Sequence, residues 1–571
     1  MFSNKKFWPS AIALAIGGVA CFAVTACGAT AAGDGGSGAA GAAGGDDAGL
    51  TGADATGHGG ADNGAVSRLD QAKVYVNDPK TDQLQTTLVT LAHPSDPDGH
   101  LAGDFAAVSN CLQQDGGGGL TYGGYPIGNV CVESATATRD ADQSYLSIVP
   151  PADDSDVQDK FAELMMYYHV NQIHDFYQDG FGLALTHNPI TAVVNVTFNG
   201  TVNVGNGIGW QGFPNSAFMP AEALAAYGFP PLADGAIIFG QYDATDFSYD
   251  ASVIYHEYTH AMVGTTRLSG VLVDTFGLDN LPGAMNEGFA DYFSCSRRNN
   301  PIIGAYALTF AGDSYVRDLS QSRKCPDDLT SEVHADGKII GSCMWEIRNA
   351  LGQQQADQII LNALESFTSS TDLPGAGKLI LAEAKKVDAA TGATVNNILK
   401  AHGIINSQRA KAWAKFSMAT SAEQVPVSIA GTDQVPAGSG LNDGVPGYFQ
   451  FFVKNIPAGT TGVTLAWRAQ QGQTMSSPGG MPDVQLAIKK DALVMVGVDQ
   501  TAADALVPGV KNAAFGSGWQ SATLAGACLP ASGGALYVML LNKGLSGDVT
   551  DMDIQFVTDT SKSVNVVNCG K

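Results

Sequence analysis

The chain has 571 residues, enough for about three domains on length alone, and 45% of them are hydrophobic, which is ample for packed cores. Its 55 acidic residues outnumber 30 Lys and Arg, a net charge of −25, so the basic patches that neutralise phosphates are missing and nucleic acid is excluded as a partner. That acidity suits an exported body in water.

Residues 1–27 read as an export signal. Lys5 and Lys6 form a positive start, Phe7–Ala23 is an apolar run, and the segment ends Val24-Thr25-Ala26-Cys27, which resembles a bacterial lipobox. Acylation of Cys27 is the implied event, placing the protein at the outer membrane or cell surface, with a shed form open. Residues 28–65 are Gly, Ala and Asp with almost no large apolar side chain, so they cannot form a core and read as a disordered tether.

Residues 66–150 read as β-rich, with short β-prone runs (VYV, TLVTLA, SYLSIV) broken by Asp-Pro and Gly-rich turns. Cys111 and Cys131 bracket one such loop and make a plausible disulfide in an oxidising compartment. Phe161–Tyr177 has helical spacing; its His169 and His174 are assigned structural roles. Ala192–Phe198 and Ala236–Phe239 read as strands.

Val253–Gly264 then contains His256-Glu257-x-x-His260. On a helix the two histidines are one turn apart on one face, a spacing at which two neutral imidazoles hold one zinc ion, and Glu257 beside them can take a proton from a water on that ion. A hydrolytic zinc site needs three protein ligands and an open position. Glu287 in Ala284–Ser294 is the candidate third ligand. Asp291, one turn on, is the candidate carboxylate for the outer ring N–H of His256.

Four helical segments follow: Ile339–Leu351, Asp357–Thr368, Gly375–Val387 and Thr394–His402. Cys295, Cys325 and Cys343 allow at most one pair among them. Residues 421–571 change texture to short apolar runs between Gly, Pro, Ser and Asp clusters, the pattern of an all-β sandwich, with Cys528 and Cys569 placed to tie its end down.

The zinc motif together with Asn286-Glu287-Gly-Phe-Ala-Asp291 resembles the gluzincin metalloproteases, and more closely the secreted fungalysin family. Further likeness lies in Phe161–Gly182, in the weaker match of Ala72–Asn110, in Asn215-Ser-Ala-Phe218, and in Glu332-Val-His334-Ala-Asp-Gly337 with Trp345 beyond; together they cover roughly residues 70–410. The resemblance implies an α+β fold with a thermolysin-like two-lobe metalloprotease at residues 151–420: a β-rich N-lobe, a helical C-lobe and the zinc helix between. It implies one catalytic zinc and peptide substrates laid along the strand at Asn215 and Ala217. It also makes His334 the donor to the oxyanion, a role worth ~3–4 kcal/mol of barrier. Such enzymes often bind calcium, for which Asp243, Asp246 and Asp250 are the available carboxylates, although the stretch equally reads as a solvated acidic loop. Two features depart from the pattern: Lys338 stands where the family usually has glutamate, and Ala261–Met285 contains no tyrosine. The expectation is a secreted or surface-tethered zinc metalloendopeptidase. The alternatives are a catalytically silent surface-binding lipoprotein that keeps the fold, and a zinc exopeptidase, for which no terminus-recognising motif is visible.

Overall fold

The computed structural model describes residues 69–569 except 115–118, 123–124, 153–155, 157, 184, 186–188, 201–208, 222–223, 225–234, 243–244, 265–266, 269, 407, 414–425, 433–442, 472–482, 497–500, 545–546 and 564. Cys27, the export signal, the tether and Asp243 therefore lie outside the described residues. The fold is mixed α+β, with seven α-helices among the described residues.

A nine-stranded sheet forms the first layer. At its centre Ile190–Gly200 runs parallel to both Ala106–Leu112 and Ala236–Tyr242. Ile190–Gly200 is buried over Ala192–Thr197 with no inward-outward alternation, as befits a central strand covered on both faces. Ser216–Met219 pairs antiparallel with Ala236–Tyr242. Cys111 and Cys131 are joined by a disulfide at this sheet, and Cys528–Cys569 closes the other end of the chain. Cys295, Cys325 and Cys343 are all free and buried. The run SYLSIV, expected as a strand, is instead a turn whose Tyr145 N–H donates to Gln71 O, with Tyr145 and Ile148 turned into the core.

Helix α1 (Lys160–Phe181) packs under the sheet. Asp159 caps it by accepting from Phe161 N and Ala162 N, and Gly182 ends it at φ 68°. Helix α2 (Ala251–Val263) carries the zinc motif between the Asp250 cap and Gly264, which takes φ 68° where a side chain would be strained. Helix α3 (Leu281–Arg298) has Pro282 in its first turn and carries Glu287 and Asp291. Helix α4 (Val333–Leu351) begins six residues before its expected start at Ile339, because the Glu332 carboxylate caps it by accepting from His334 N and Ala335 N. Helices α5 (Gln353–Glu365), α6 (Leu373–Val387) and α7 (Ala389–Ala401) complete the helical part.

Two six-stranded sheets follow. Phe451, Val453, Leu536 and Val538 of one and Val463, Leu465, Trp467 and Leu524 of the other are buried in a common apolar core. The strand Ala410–Ala412 runs parallel to Gln450–Lys454 in the first of these sheets. These residues precede the expected boundary at residue 421, and the pairing satisfies their backbone groups at the edge of that sheet.

Candidate metal and catalytic site

The site forms where α2, α3, the first turn of α4 and the strand Ser216–Met219 meet. His256, Glu257 and His260 of α2 bring their donor atoms within 4.8 Å of one another. His256 Nε2 and His260 Nε2 are 3.0 Å apart. Glu287 Oε2 lies 3.3 Å from the first and 3.7 Å from the second. That oxygen is buried and accepts no hydrogen bond among the described residues.

These distances test whether the residues fit a zinc ion. Bonds of ~2.0–2.2 Å in a tetrahedron set ligand atoms ~3.3–3.6 Å apart, close to the spacings found here. Two imidazoles and a carboxylate are also the donor set of a hydrolytic zinc centre. An orphaned carboxylate oxygen among imidazole nitrogens is explained by a cation at their centre. The residues fit the ion.

The electrostatics agree. Burial alone would discharge His256, yet the neighbouring Asp291 and Glu287 carboxylates outweigh it and push its pKa up to about 10. Burial likewise opposes ionisation of Glu287, but His334, His260 and His256 hold it well below the usual carboxylate range. The pocket therefore favours positive charge between these groups, whether proton or metal.

A ring of partners orients the ligand candidates. His256 Nδ1 is 2.9 Å from Asp291 Oδ1, the pairing expected from the sequence. Asp291 has no exposed surface. Arg317, on a two-residue strand after α3, grips it with Nε on Oδ2 at 2.6 Å and Nη2 on Oδ1 at 2.7 Å. Burial raises the Asp291 pKa and Arg317 and His256 more than reverse this, to about 2. His260 Nδ1 sits 2.9 Å from Asn286 Oδ1. Neither Arg317 nor Asn286 was assigned from sequence. Asn286 was legible as the residue before Glu287 in the same helix, whereas nothing about Arg317 marks it before the chain folds.

His334 stands at the start of α4 with Nε2 3.5 Å from Glu287 Oε2 and Nδ1 2.7 Å from Glu332 Oε1. The Glu332 carboxylate thus caps the helix and fixes the ring at once. Burial is outweighed by Glu287 and Glu332, which raise the His334 pKa to about 9, so near neutrality its Nε2 carries a proton and can donate it in a hydrogen bond.

The carboxylate of Glu257 faces the strand at the sheet edge. Ser216 Oγ donates to its Oε1 and Phe218 N to its Oε2, each at 2.8 Å. Asn215 and Ala217, the expected substrate anchors, stand differently. The Asn215 carbonyl accepts from Gly240 N inside the sheet, and Ala217 is paired opposite Ile238. By the alternation of an antiparallel ladder, the backbone groups on the free edge are those of Ser216 and Phe218.

His169 is buried between Tyr255 OH and Tyr75 O, each at 2.9 Å, and burial lowers its pKa to about 3, which leaves a neutral bracing imidazole. His174 is stacked on Phe105. Asp246 caps a short 3-10 turn, and Asp250 spends one oxygen on Ser252 N and Oγ and the other on Tyr306 N and Ala307 N. With donors on both its oxygens Asp250 caps α2 and ties it to Tyr306 and Ala307.

The family model described as fungalysin metallopeptidase (M36) matches residues 73–383. Two curated relatives, each an "Extracellular metalloproteinase 5", one from Trichophyton tonsurans and one from Arthroderma benhamiae, are 28% identical over 119 residues. Each alignment takes in 18% of this chain. The chain thus spans about a fifth of the curated relatives' length, 19% and 18% respectively. Among solved structures, the precursor of protealysin, a metalloproteinase from Serratia proteamaculans, is 15% identical. It covers 55% of this chain and 90% of its own, at a TM-score of 0.35.

Proposed function

The chain belongs to the fungalysin metallopeptidase family, and we propose that it is a zinc-dependent endopeptidase acting on protein or peptide substrates, its zinc held by His256, His260 and Glu287. The observation that carries this assignment is the convergence of two imidazole nitrogens and one orphaned carboxylate oxygen, with a second carboxylate, Glu257, held by the edge strand Ser216–Met219. A peptide bound in its middle can extend along that edge by backbone hydrogen bonds, with no group required to read a free terminus.

Zinc, when bound, acidifies a water and polarises the scissile carbonyl. The protein's own groups do the rest. Glu257 accepts the proton of the attacking water and passes it to the leaving amine. His334 Nε2–H donates to the oxygen on which negative charge builds, and Glu332 holds that ring in place. Asp291 and Asn286 fix the outer nitrogens of His256 and His260, so that both Nε2 atoms face inward.

The finer architecture belongs to the same proposal. The sheet and α1 are the β-rich lobe, α3–α7 the helical lobe, with α2 between them, and the two C-terminal sheets form a sandwich. The relatives called extracellular favour an exported protein. Acylation at Cys27 would hold it on a surface through the tether at residues 28–65.

The full chain, its Glu257→Gln variant and a chelator-treated sample settle the reaction. Casein cleavage and zinc content are measured on each. Zinc in both proteins with cleavage by the parent alone is the expected result, together with loss of cleavage on chelation and its return on adding zinc. A zinc-loaded parent that leaves casein intact would count against an active peptidase.

A further inference from the structure

The carboxylate of Glu257 is not free-standing. It is 6% exposed and is held at both oxygens by one strand, with the Ser216 hydroxyl on Oε1 and the Phe218 amide on Oε2, both at 2.8 Å. Ser216 and Phe218 are i and i+2, so in an extended strand their side chains fall on one face. The strand Ser216–Met219 lies over α2 on that face, and Phe218 is partly buried against the core to which Val253 and Ile254 of α2 belong. Ala217, between them, points the other way into a separate apolar cluster. Register fixes the arrangement: the pairing of Ser216 with Phe239 and of Phe218 with Ile237 directs both donors to Glu257, and a slip of one residue would present Ala217 in their place.

We propose that the Ser216 hydroxyl is a positioning residue for the reaction. It works with the Phe218 amide to lock the plane of the Glu257 carboxylate, so that the proton-accepting oxygen faces the metal-side water while the same strand carries the substrate backbone. This rests on the endopeptidase assignment above. A glutamate held by one donor can still rotate about its last side-chain bond, a broad and nearly two-fold torsion. Two charge-assisted hydrogen bonds to opposite oxygens remove that freedom. The Ser216 hydroxyl is bonded to the Glu257 carboxylate and, among the described residues, makes no hydrogen bond to His256, His260 or Glu287, so the effect of this side chain belongs to proton transfer rather than to holding the metal. Strand and base also become one unit: a peptide added to the edge presses on the element that aims Glu257.

The test compares the zinc-loaded full chain with Ser216→Ala, Ser216→Thr and Glu257→Gln. Each is assayed on an internally quenched peptide blocked at both ends, with zinc content and melting temperature measured. Loss of a positioning contact predicts a fall in kcat of roughly 10- to 100-fold for Ser216→Ala, with KM within about twofold and zinc and melting temperature unchanged. Ser216→Thr, which keeps the hydroxyl, should recover most of kcat. Parental kcat in Ser216→Ala overturns the proposal and leaves the endopeptidase standing. So does a loss confined to KM, a loss shared equally by the threonine variant, or a loss that tracks zinc or melting temperature. A zinc-loaded parent as silent as Glu257→Gln would sink the endopeptidase assignment and this inference with it.

Discussion

At the scale of single residues, the ligand candidates were legible and their supports were not. His256, Glu257 and His260 announce themselves because a helix converts a spacing of four into one face. Asp291 follows from the same logic on α3. Arg317 could not be found that way, because it reaches Asp291 from a separate strand by a route that only the fold creates. Its guanidinium is the counter-charge to a carboxylate with no access to water. Removing one member of such a pair typically costs ~3–5 kcal/mol, since the partner stays buried and charged. Arg317→Ala should therefore lower stability by about that much, and by loosening His256 should weaken zinc roughly 10- to 100-fold; denaturant unfolding and a competitive zinc titration read the two effects separately. Asp159 offers a test by pH. Burial outweighs its hydrogen bonds from Tyr249, Phe161 and Ala162 and lifts its pKa from 3.8 to about 6. The folded state then holds the proton more tightly than the unfolded chain. Its contribution is fully present below pH 3.8 and is lost as pH rises through about 6, a swing of ~3 kcal/mol. Asp159→Asn still caps α1 but does not titrate, so between pH 4 and 6 its unfolding midpoint should fall less with rising pH than the parent's.

Among elements, the geometry of the centre is set by how closely α3 approaches α4, and two glycines set that approach. A Cβ on Gly288 would stand 2.3 Å from Ile340 Cγ2 and 2.5 Å from the Gly337 carbonyl oxygen. One on Gly337 would stand 2.7 Å from the Ala284 carbonyl oxygen and 3.0 Å from Glu287 Cβ. This contact gives a physical reason for the glycine that closes Glu332-Val-His334-Ala-Asp-Gly337: it lets His334 come within 3.5 Å of Glu287. The sequence showed that motif but gave no hint that its glycine serves a helix crossing, nor that Glu332 begins the helix. Both need the partner α3 in place. Gly337→Ala should push α4 outward, costing ~1–3 kcal/mol as overpacking does and lowering kcat more than zinc content. Calorimetry and metal analysis on one preparation check this. Equal activity in parent and variant would mean that the helices can part without disturbing the site.

Over the whole molecule, the β-rich C-terminal part was legible as a separate texture, but its grip on the catalytic part was not. The hairpin of Leu272–Asp274 and Gly277–Asp279 is the link between α2, with two ligand candidates, and α3, with the third. Arg409 clasps it: Nη2 is 2.6 Å from Asp274 Oδ1, and Nη1 binds the Leu278 carbonyl while reaching Tyr448 O at 2.8 Å. Leu278 packs with Ala430 and Val445, Val496 N donates to Thr275 O at 2.8 Å, and Gly277, at φ 117°, lies against Pro446. On the far side Lys411 Nζ donates to Leu329 O, just before the loop that leads to Glu332. A module that only bound surfaces would need no such contacts with the segment joining two zinc helices. Here the β part braces both approaches to the centre, so its loss should be felt in catalysis. Arg409→Ala leaves the core intact but frees the hairpin. It should lower the melting temperature by several degrees and reduce peptide cleavage several-fold at saturating zinc, the guanidinium's hydrogen bonds to one carboxylate and two carbonyls being worth ~1.5–3 kcal/mol each before compensation. A variant that melts early yet cleaves like the parent would confine Arg409 to stability and show that the hairpin keeps α2 and α3 in register without help from the C-terminal sheets.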